Sequence, residues 1–363
     1  MGMSYLHWAK VHPRVRYELT NSGVPTLSPE DFGDDPAPLP LEVRGAYGDP
    51  ELIDRIAARY SVVREGVVPV PGASSAIFVG IAAAVEIGAP ILVEQPVYEP
   101  IARVADFLRL RVTKLPRRPN ENFGVDLDGI EDGLRDGARA VVLTNLHNPS
   151  GRLLQREQIK EIAACCERCG AVLIVDEVYL DAHSLTNGIP PWTAANLSAC
   201  AIGLNSLTKV YGLSGLRIGW VLAKPAVADH ARSVMNLLSS DNAAPSMALA
   251  IRAFRQMPRL EDRYRRLFEN GQAVFRRWLE GEPLLRGYDS AGAIFECLRL
   301  PNGVDADSFN DLLVREFETQ VTPGSFFDLP DHIRLSTWLH SDDLKEALSR
   351  ISQALRKIPL APR

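Results

Sequence analysis

The sequence lacks the features that mark secreted, membrane-bound or nucleic-acid-binding proteins. Its 363 residues include only five cysteines, and the net charge of -5 offers no basic surface for nucleic acid. No apolar run approaches the ~20 residues that span a membrane, and the start has no apolar signal segment. Cys166 and Cys169 have metal-site spacing, but no second Cys/His pair follows, so no metal site is predicted. We therefore expect an ordinary cytoplasmic globular protein.

The most informative segment runs from Ser206 to Gly219 and reads S-L-T-K-V-Y-G-L-S-G-L-R-I-G. In it Lys209 stands between a serine three residues earlier and Arg217 eight residues later. A lysine amine can form a Schiff base with an aldehyde, and a serine and an arginine can bind a phosphate. Short apolar runs flank the segment, so Lys209 is expected at a strand end, where α/β folds bind ligands. The pattern indicates a phosphorylated aldehyde cofactor such as pyridoxal phosphate; a solvated loop lysine is the alternative.

The order of predicted elements divides the chain into parts. Helical and strand-like segments alternate from about residue 50 to 235, which is typical of an α/β fold with a mostly parallel sheet between helices. Farther on, long charged helices and a few strands predict an α+β domain. The N-terminal region contains several prolines and no long periodic segment. We predict an arm over residues 1–45 that packs with the small domain, a large cofactor-binding domain over 46–235, and a small domain over 236–363.

Two polar segments follow predicted strands and could bind a pyridine ring. The first reads D-E-V-Y from Asp176 to Tyr179. A buried Asp176 beside the ring nitrogen would keep the ring protonated as an electron sink, and Tyr179 could hydrogen-bond the phenolic oxygen. In the second, N-L-H-N-P-S-G, Asn148 could donate to the same oxygen while His147 gives structural support. A helix N-cap at Asp176 and a plain turn at Asn148 are the alternatives.

Three further segments contribute candidate ligand contacts. The segment V-P-G-A-S-S-A-I opens a helix after a glycine turn, so Ala73 and Ser74 are predicted to bind phosphate through free N–H groups. Tyr98 follows a strand in P-V-Y and could stack on a flat ring; an exposed turn tyrosine is the alternative. Arg334 lies in the apolar segment H-I-R-L-S and suits a carboxylate, either of an internal Asp or Glu or of a substrate.

Taken in order, these segments resemble the class I/II aminotransferases, which are fold-type I pyridoxal phosphate enzymes. Between about Gly23 and Ser336, six pieces fall at family-like spacing: G-A-S-S-A, P-V-Y, N-P-S-G, D-E-V-Y, S-L-T-K…G-L-R-I-G and R-L-S. The resemblance implies a large α/β domain with a mostly parallel, seven-stranded-type sheet and a smaller α+β domain. It also implies a homodimer with active sites at the interface.

The resemblance also implies a role for each residue. Lys209 would hold the cofactor and act as the base, and Asp176 and Tyr179 would complete the catalytic set. The implied cofactor contacts are Ala73, Ser74, Tyr98, Asn148, Asp176, Tyr179, Ser206, Lys209 and Arg217. The implied substrate contacts are Arg334 for the α-carboxylate, Asn148, and Gly23 in the arm segment S-G-V-P.

One position departs from the family pattern. Val43 stands five residues before Gly48, where the family usually carries a tyrosine that reaches the neighbouring subunit's phosphate. We expect a pyridoxal phosphate-dependent aminotransferase that moves an amino group between an L-amino acid and a 2-oxo acid by a ping-pong mechanism. A lyase, cyclase or oxidase that uses the same carbanion is the alternative, and a non-catalytic binding protein on this fold is a further one.

Overall fold

The structure is a computed structural model that describes residues 4–33 and 38–358. Its strands are β1 (Tyr17–Glu18), β2 (Val67–Val70), β3 (Pro90–Gln95), β4 (Arg111–Pro116), β5 (Ala140–Thr144), β6 (Val172–Asp176), β7 (Ala201–Ser206), β8 (Gly219–Leu222), β9 (Arg286–Gly287), β10 (Phe295–Arg299), β11 (Thr319–Gln320), β12 (Thr322–Pro323) and β13 (His332–Ser336). Its helices are α1 (Ser4–Val11), α2 (Pro29–Phe32), α3 (Pro50–Tyr60), α4 (Ala73–Ala84), α5 (Glu99–Phe107), α6 (Leu127–Arg135), α7 (Arg156–Arg168), α8 (Leu180–Thr186), α9 (Pro225–Leu238), α10 (Ala244–Arg255), α11 (Met257–Glu280), α12 (Ala306–Phe317) and α13 (Ser341–Lys357).

A seven-stranded sheet forms the frame, with the strand order β2-β8-β7-β6-β5-β3-β4. The strands from β7 to β4 pair in parallel, whereas β8 is antiparallel to both of its neighbours. The expected α/β fold with a mostly parallel sheet is therefore confirmed. Because β8 runs against the others, its first residue lies at the edge where the parallel strands end.

The central strands are apolar throughout because both faces of the sheet are covered. On β5, Val141 and Leu143 pack into one core cluster, and Ala140 and Val142 pack into the cluster on the opposite face. Side chains alternate between the two faces of a strand, so burial on both faces requires apolar residues at successive positions. This is why the sequence shows continuous apolar runs before its polar segments.

The C-terminal region contains a second, antiparallel sheet with the order β12-β13-β10-β9. Side chains of α11, α12 and α13 share a core cluster with this sheet. The arm contacts this region through a separate two-stranded sheet, in which β1 pairs in parallel with β11 and Tyr17 lies opposite Thr319. The division of the chain at residues 45 and 235 stays a prediction, and α9 runs across the second of these positions.

The arm also contains α1, an eight-residue helix that the sequence interpretation did not predict. Across residues 4–33 and 38–358, no helix is long and apolar enough to cross a membrane. Within the same ranges, no group of three or more His, Cys, Asp and Glu residues is placed to hold a metal ion. Cys166 and Cys169 are free thiols at the end of α7.

Candidate active site

The candidate site lies at the carboxyl edge of the large sheet. Asp176 is the last residue of β6 and Thr144 is the last residue of β5, while Lys209 follows β7. Their side chains open into one cavity with an empty volume of about 700 Å³. The cavity is lined by Ala73, Ser74, Tyr98, Thr144, Asn148, Asp176, Val178, Tyr179, Thr208, Lys209 and Arg217. All the predicted cofactor contacts except Ser206 are therefore brought together.

One end of the cavity is built to hold an anion. The helix α4 begins at Ala73, so the backbone N–H groups of Ala73 and Ser74 have no partner within the helix. Arg217, just before β8, donates from Nη2 to the carbonyl of Pro71 at 3.2 Å. Gly72 has a φ of +85°, and a β-carbon there would collide with the Arg217 guanidinium. Free N–H groups, a helix N-terminus and a guanidinium suit a phosphate.

A buried carboxylate lies on the cavity floor. Asp176 is 4% exposed and its Oδ1 accepts from the backbone N–H of Val178 at 3.1 Å. Burial raises the pKa of Asp176 to about 7, and nearby Glu94 adds to this. Asp176 forms no ion pair with any residue in the described part of the chain. A desolvated carboxylate that faces a cavity in this way fits the protonated nitrogen of a pyridine ring.

The arm passes behind the lysine. Lys209 donates from Nζ to the Ser22 hydroxyl at 2.9 Å, and its carbonyl accepts from the Val24 N–H at 2.9 Å. Gly23 packs directly on the lysine, since a β-carbon there would lie 3.1 Å from Lys209 Cδ. The structure thus places Gly23 against the lysine stem. Ser22 belongs to the S-G-V-P segment that the resemblance makes a candidate substrate contact, but its bond to Lys209 was not predicted.

Arg334 lies behind the cavity wall on β13 and is 1% exposed. Its Nη1 donates to Asn148 Oδ1 at 2.7 Å, and its Nη2 donates to the Tyr5 hydroxyl at 2.7 Å. Within the residues that the structure describes, no Asp or Glu pairs with it, so the internal-partner alternative finds no support. Asn148 lines the cavity and accepts from Arg334 through Oδ1, so its amide N–H groups remain as donors.

Of the remaining predicted residues, two line the cavity and two are packed away from it. Tyr98 and Tyr179 line the cavity, and the Tyr179 ring packs edge-on against Phe295 at 5.0 Å between centroids. Ser206 is fully buried and does not line the cavity; its Oγ accepts from the Thr208 N–H at 3.3 Å. Its role at the phosphate, like the other individual roles, stays a prediction. Val43 packs against the core, where it offers no hydroxyl.

Sequence reasoning also missed a buried ion pair beneath the floor. Arg117 donates from Nη1 to Glu94 at 2.6 Å, and both side chains are fully buried. Glu94 in turn accepts from the backbone N–H of Thr144 at 2.6 Å, which fixes the strand end beside Asp176. The available signal was Glu94 itself, a charged residue that directly follows four apolar residues of β3.

Fold and cavity together define a pyridoxal phosphate-dependent enzyme of fold type I. Residues 43–351 match the family described as aminotransferase class I and II, and the chain belongs to this family. Arginine–pyruvate transaminase AruH of Pseudomonas aeruginosa is 27% identical over 323 residues, which cover 86% of this chain and 81% of the relative. An aspartate aminotransferase of Streptomyces avermitilis is 28% identical over 339 residues, covering 85% and 80%.

A solved structure extends the likeness over nearly the whole chain. The crystal structure of a pyridoxal phosphate-dependent aminotransferase from Streptococcus suis has a TM-score of 0.90 at 21% identity. The alignment covers 99% of this chain and 98% of that one, so it includes the arm. At this identity the likeness establishes a shared fold.

Proposed function

We propose that this pyridoxal phosphate-dependent aminotransferase takes its amino group from an L-amino acid whose side chain carries no carboxylate, and passes it to a 2-oxo acid by a ping-pong mechanism. The observation that carries the proposal is the arrangement of Lys209, Asp176 and Asn148 around one cavity, with Arg334 buried behind Asn148. A buried guanidinium without a carboxylate partner among the described residues suits the α-carboxylate of a substrate.

Different residues would bind the cofactor, transfer the proton and bind the substrate carboxylate. When bound, pyridoxal phosphate supplies an aldehyde that combines with amines and a ring that withdraws electrons from Cα. Ala73, Ser74 and Arg217 would hold its phosphate. Asp176 would keep a proton on the ring nitrogen, and the freed amine of Lys209 would take the proton from Cα. Arg334, with the Asn148 amide, would fix the substrate carboxylate and so orient Cα toward Lys209.

The cations of the site support a donor without a second carboxylate. Lys209 and Arg217 are the Lys and Arg residues among those that line the cavity in the described part of the chain. The proposal assigns both of them to the cofactor. Arg334 is committed to the α-carboxylate. No further cation of this subunit is therefore assigned to a side-chain carboxylate. Arginine, the donor in the name of the Pseudomonas relative, meets this requirement; aspartate does not.

A donor panel tests the proposal. Cofactor-loaded protein would be mixed with arginine, leucine, phenylalanine, aspartate and glutamate without an acceptor, and the cofactor absorbance would be followed. We expect at least one donor without a side-chain carboxylate to react about tenfold faster than aspartate, as one lost ionic contact costs about 1.4 kcal/mol or more. Aspartate or glutamate as the fastest donor would contradict the proposed class. Keto acid formed with no free ammonia, the amino group being retained on the cofactor, indicates transamination, whereas keto acid formed together with ammonia would indicate elimination or oxidation.

We also propose that the protein is a homodimer, as the family implies. Two segments expose large apolar side chains: Leu41 is 94% exposed and Leu237 is 87% exposed. The Arg232 guanidinium, 5.8 Å from the Tyr47 ring, connects the segment after Leu41 with the helix that carries Leu237. Sedimentation equilibrium should give twice the chain mass of 39.9 kDa; a single-chain mass would refute the dimer. The cytoplasmic location stays a prediction.

A further inference from the structure

The charge of Arg334 is buried, and a tyrosine takes one of its hydrogen bonds. The Tyr5 hydroxyl accepts from Arg334 Nη2 at 2.7 Å, whereas the other close contacts of Nη2, with Thr20 and Thr322, are 3.4 and 3.5 Å long. A buried guanidinium whose described partners are all neutral is costly, because none of them balances its charge. The position of the Tyr5 oxygen is therefore one that a carboxylate oxygen would occupy more favourably.

Tyr5 reaches this position because α1 lies across the site. The Glu99 carboxylate accepts from the backbone N–H of Tyr5 at 2.8 Å and of Leu6 at 3.4 Å, and so caps the start of the helix. The Tyr5 ring packs edge-on against Tyr98 and against Phe326, with centroids 6.2 and 5.6 Å apart. The helix thus touches the cavity wall at Tyr98 and the C-terminal region at Phe326. While it stays there, Tyr5 is only 7% exposed.

We propose that the Tyr5 hydroxyl holds the place of the substrate α-carboxylate on Arg334, and that α1 is a lid which the carboxylate displaces. The proposal rests on the proposed function, because it takes Arg334 as the carboxylate site. The arm would keep the arginine hydrogen-bonded until an amino acid arrives, and the amino acid would open the lid by supplying a better acceptor. A ligand without a carboxylate gains nothing from Arg334 and leaves the lid closed.

The charges near the phenol support this role. Burial alone would raise the pKa of Tyr5, but the charges of Arg334 and Lys209, with hydrogen bonds from Arg334 and Ser22, bring it below its ordinary value. The phenol oxygen therefore resembles a carboxylate oxygen in accepting from a cation. It remains a weaker acceptor than an ionised carboxylate, which is why a carboxylate can displace it.

The test replaces Tyr5 with phenylalanine, which keeps the ring packing and removes only the competing oxygen. Binding of propionate, a carboxylate without an amine, would be measured by calorimetry on the holoenzyme, together with hydrogen exchange of residues 4–11. We expect Tyr5→Phe to bind propionate about tenfold more tightly than the wild type, because the carboxylate no longer displaces a hydrogen bond to a charged group. In the wild type, propionate should speed hydrogen exchange in α1, whereas propylamine should not.

Two control variants test whether the effect is specific to Tyr5 and whether propionate binds at Arg334. Tyr288→Phe removes a hydroxyl that bonds His332 at 2.8 Å rather than Arg334, and it should leave propionate affinity unchanged. Arg334→Gln should abolish propionate binding, which locates the ligand. If Tyr5→Phe binds propionate with equal or lower affinity than the wild type, or if propionate binding does not depend on Arg334, the proposed displacement of Tyr5 and α1 is wrong. Failure of the proposed function would appear separately, as absence of keto acid in the donor panel.

Discussion

Replacement of Lys209 by alanine is expected to abolish multiple-turnover transamination, with a loss of at least about 10³-fold. The lysine would have two roles, to hold the cofactor covalently and to move the Cα proton, and alanine performs neither. Among the described residues that line the cavity Lys209 is the one lysine, so no other side-chain amine there stands in for it. Keto acid formation over many turnovers is the measurement.

A second lysine supplies the control. Lys224 is an exposed residue before α9 and does not line the cavity, so Lys224→Ala should retain wild-type turnover. Steady formation of keto acid by purified Lys209→Ala, at rates above those of cofactor alone in solution, would contradict the assignment. Binding of cofactor by the variant would be compatible with it, because the phosphate contacts remain.

Substitution of Asp176 by alanine should lower the rate roughly 10²- to 10³-fold, as expected for loss of a preorganised charge partner in a buried site. The variant should still bind cofactor through the phosphate end of the cavity. The half-reaction with the best amino acid of the donor panel is the measurement. Near wild-type rates in Asp176→Ala would show that this carboxylate is not the partner of the ring nitrogen.

The pH dependence of stability tests the same carboxylate in cofactor-free protein. Burial raises the pKa of Asp176 to about 7, above the unfolded value of about 3.9, so the folded protein binds this proton more tightly. Its stabilising contribution is present below about pH 4 and is lost as the pH rises to about 7. Asp176→Asn removes this titration and should therefore lose less stability between pH 5 and pH 8 in denaturant unfolding. An unchanged pH profile would contradict the raised pKa.

The cavity could be predicted because its residues lie in short local patterns at strand ends. A glycine turn before Ala73, the D-E-V-Y segment and the lysine segment each indicate their chemistry within a few residues. Because β5, β6 and β7 are parallel neighbours, their carboxyl ends lie at the same edge of the sheet. The individual roles of these residues remain to be tested by the variants above.

Other features could not be predicted, because they depend on contacts between distant parts of the chain. Tyr5 meets Arg334 across 329 positions, and Glu94 meets Arg117 across 23. The helix that carries Tyr5 has only eight residues, too few for its periodicity to stand out. Nothing in the sequence near Ser22 indicates that its hydroxyl faces Lys209. These contacts follow from how the arm packs.

The candidate site is assembled from separate parts of the chain. The residues that line the cavity all lie between β2 and β8 of the large sheet, whereas Arg334 and Tyr5 belong to the C-terminal sheet and the arm. Substitutions in α1 would therefore act on the substrate end of the site, whereas substitutions at Ser22 or Gly23, in the same arm, would also disturb Lys209. Donor preference would accordingly change through α1, while the residues that line the cofactor cavity stay the same.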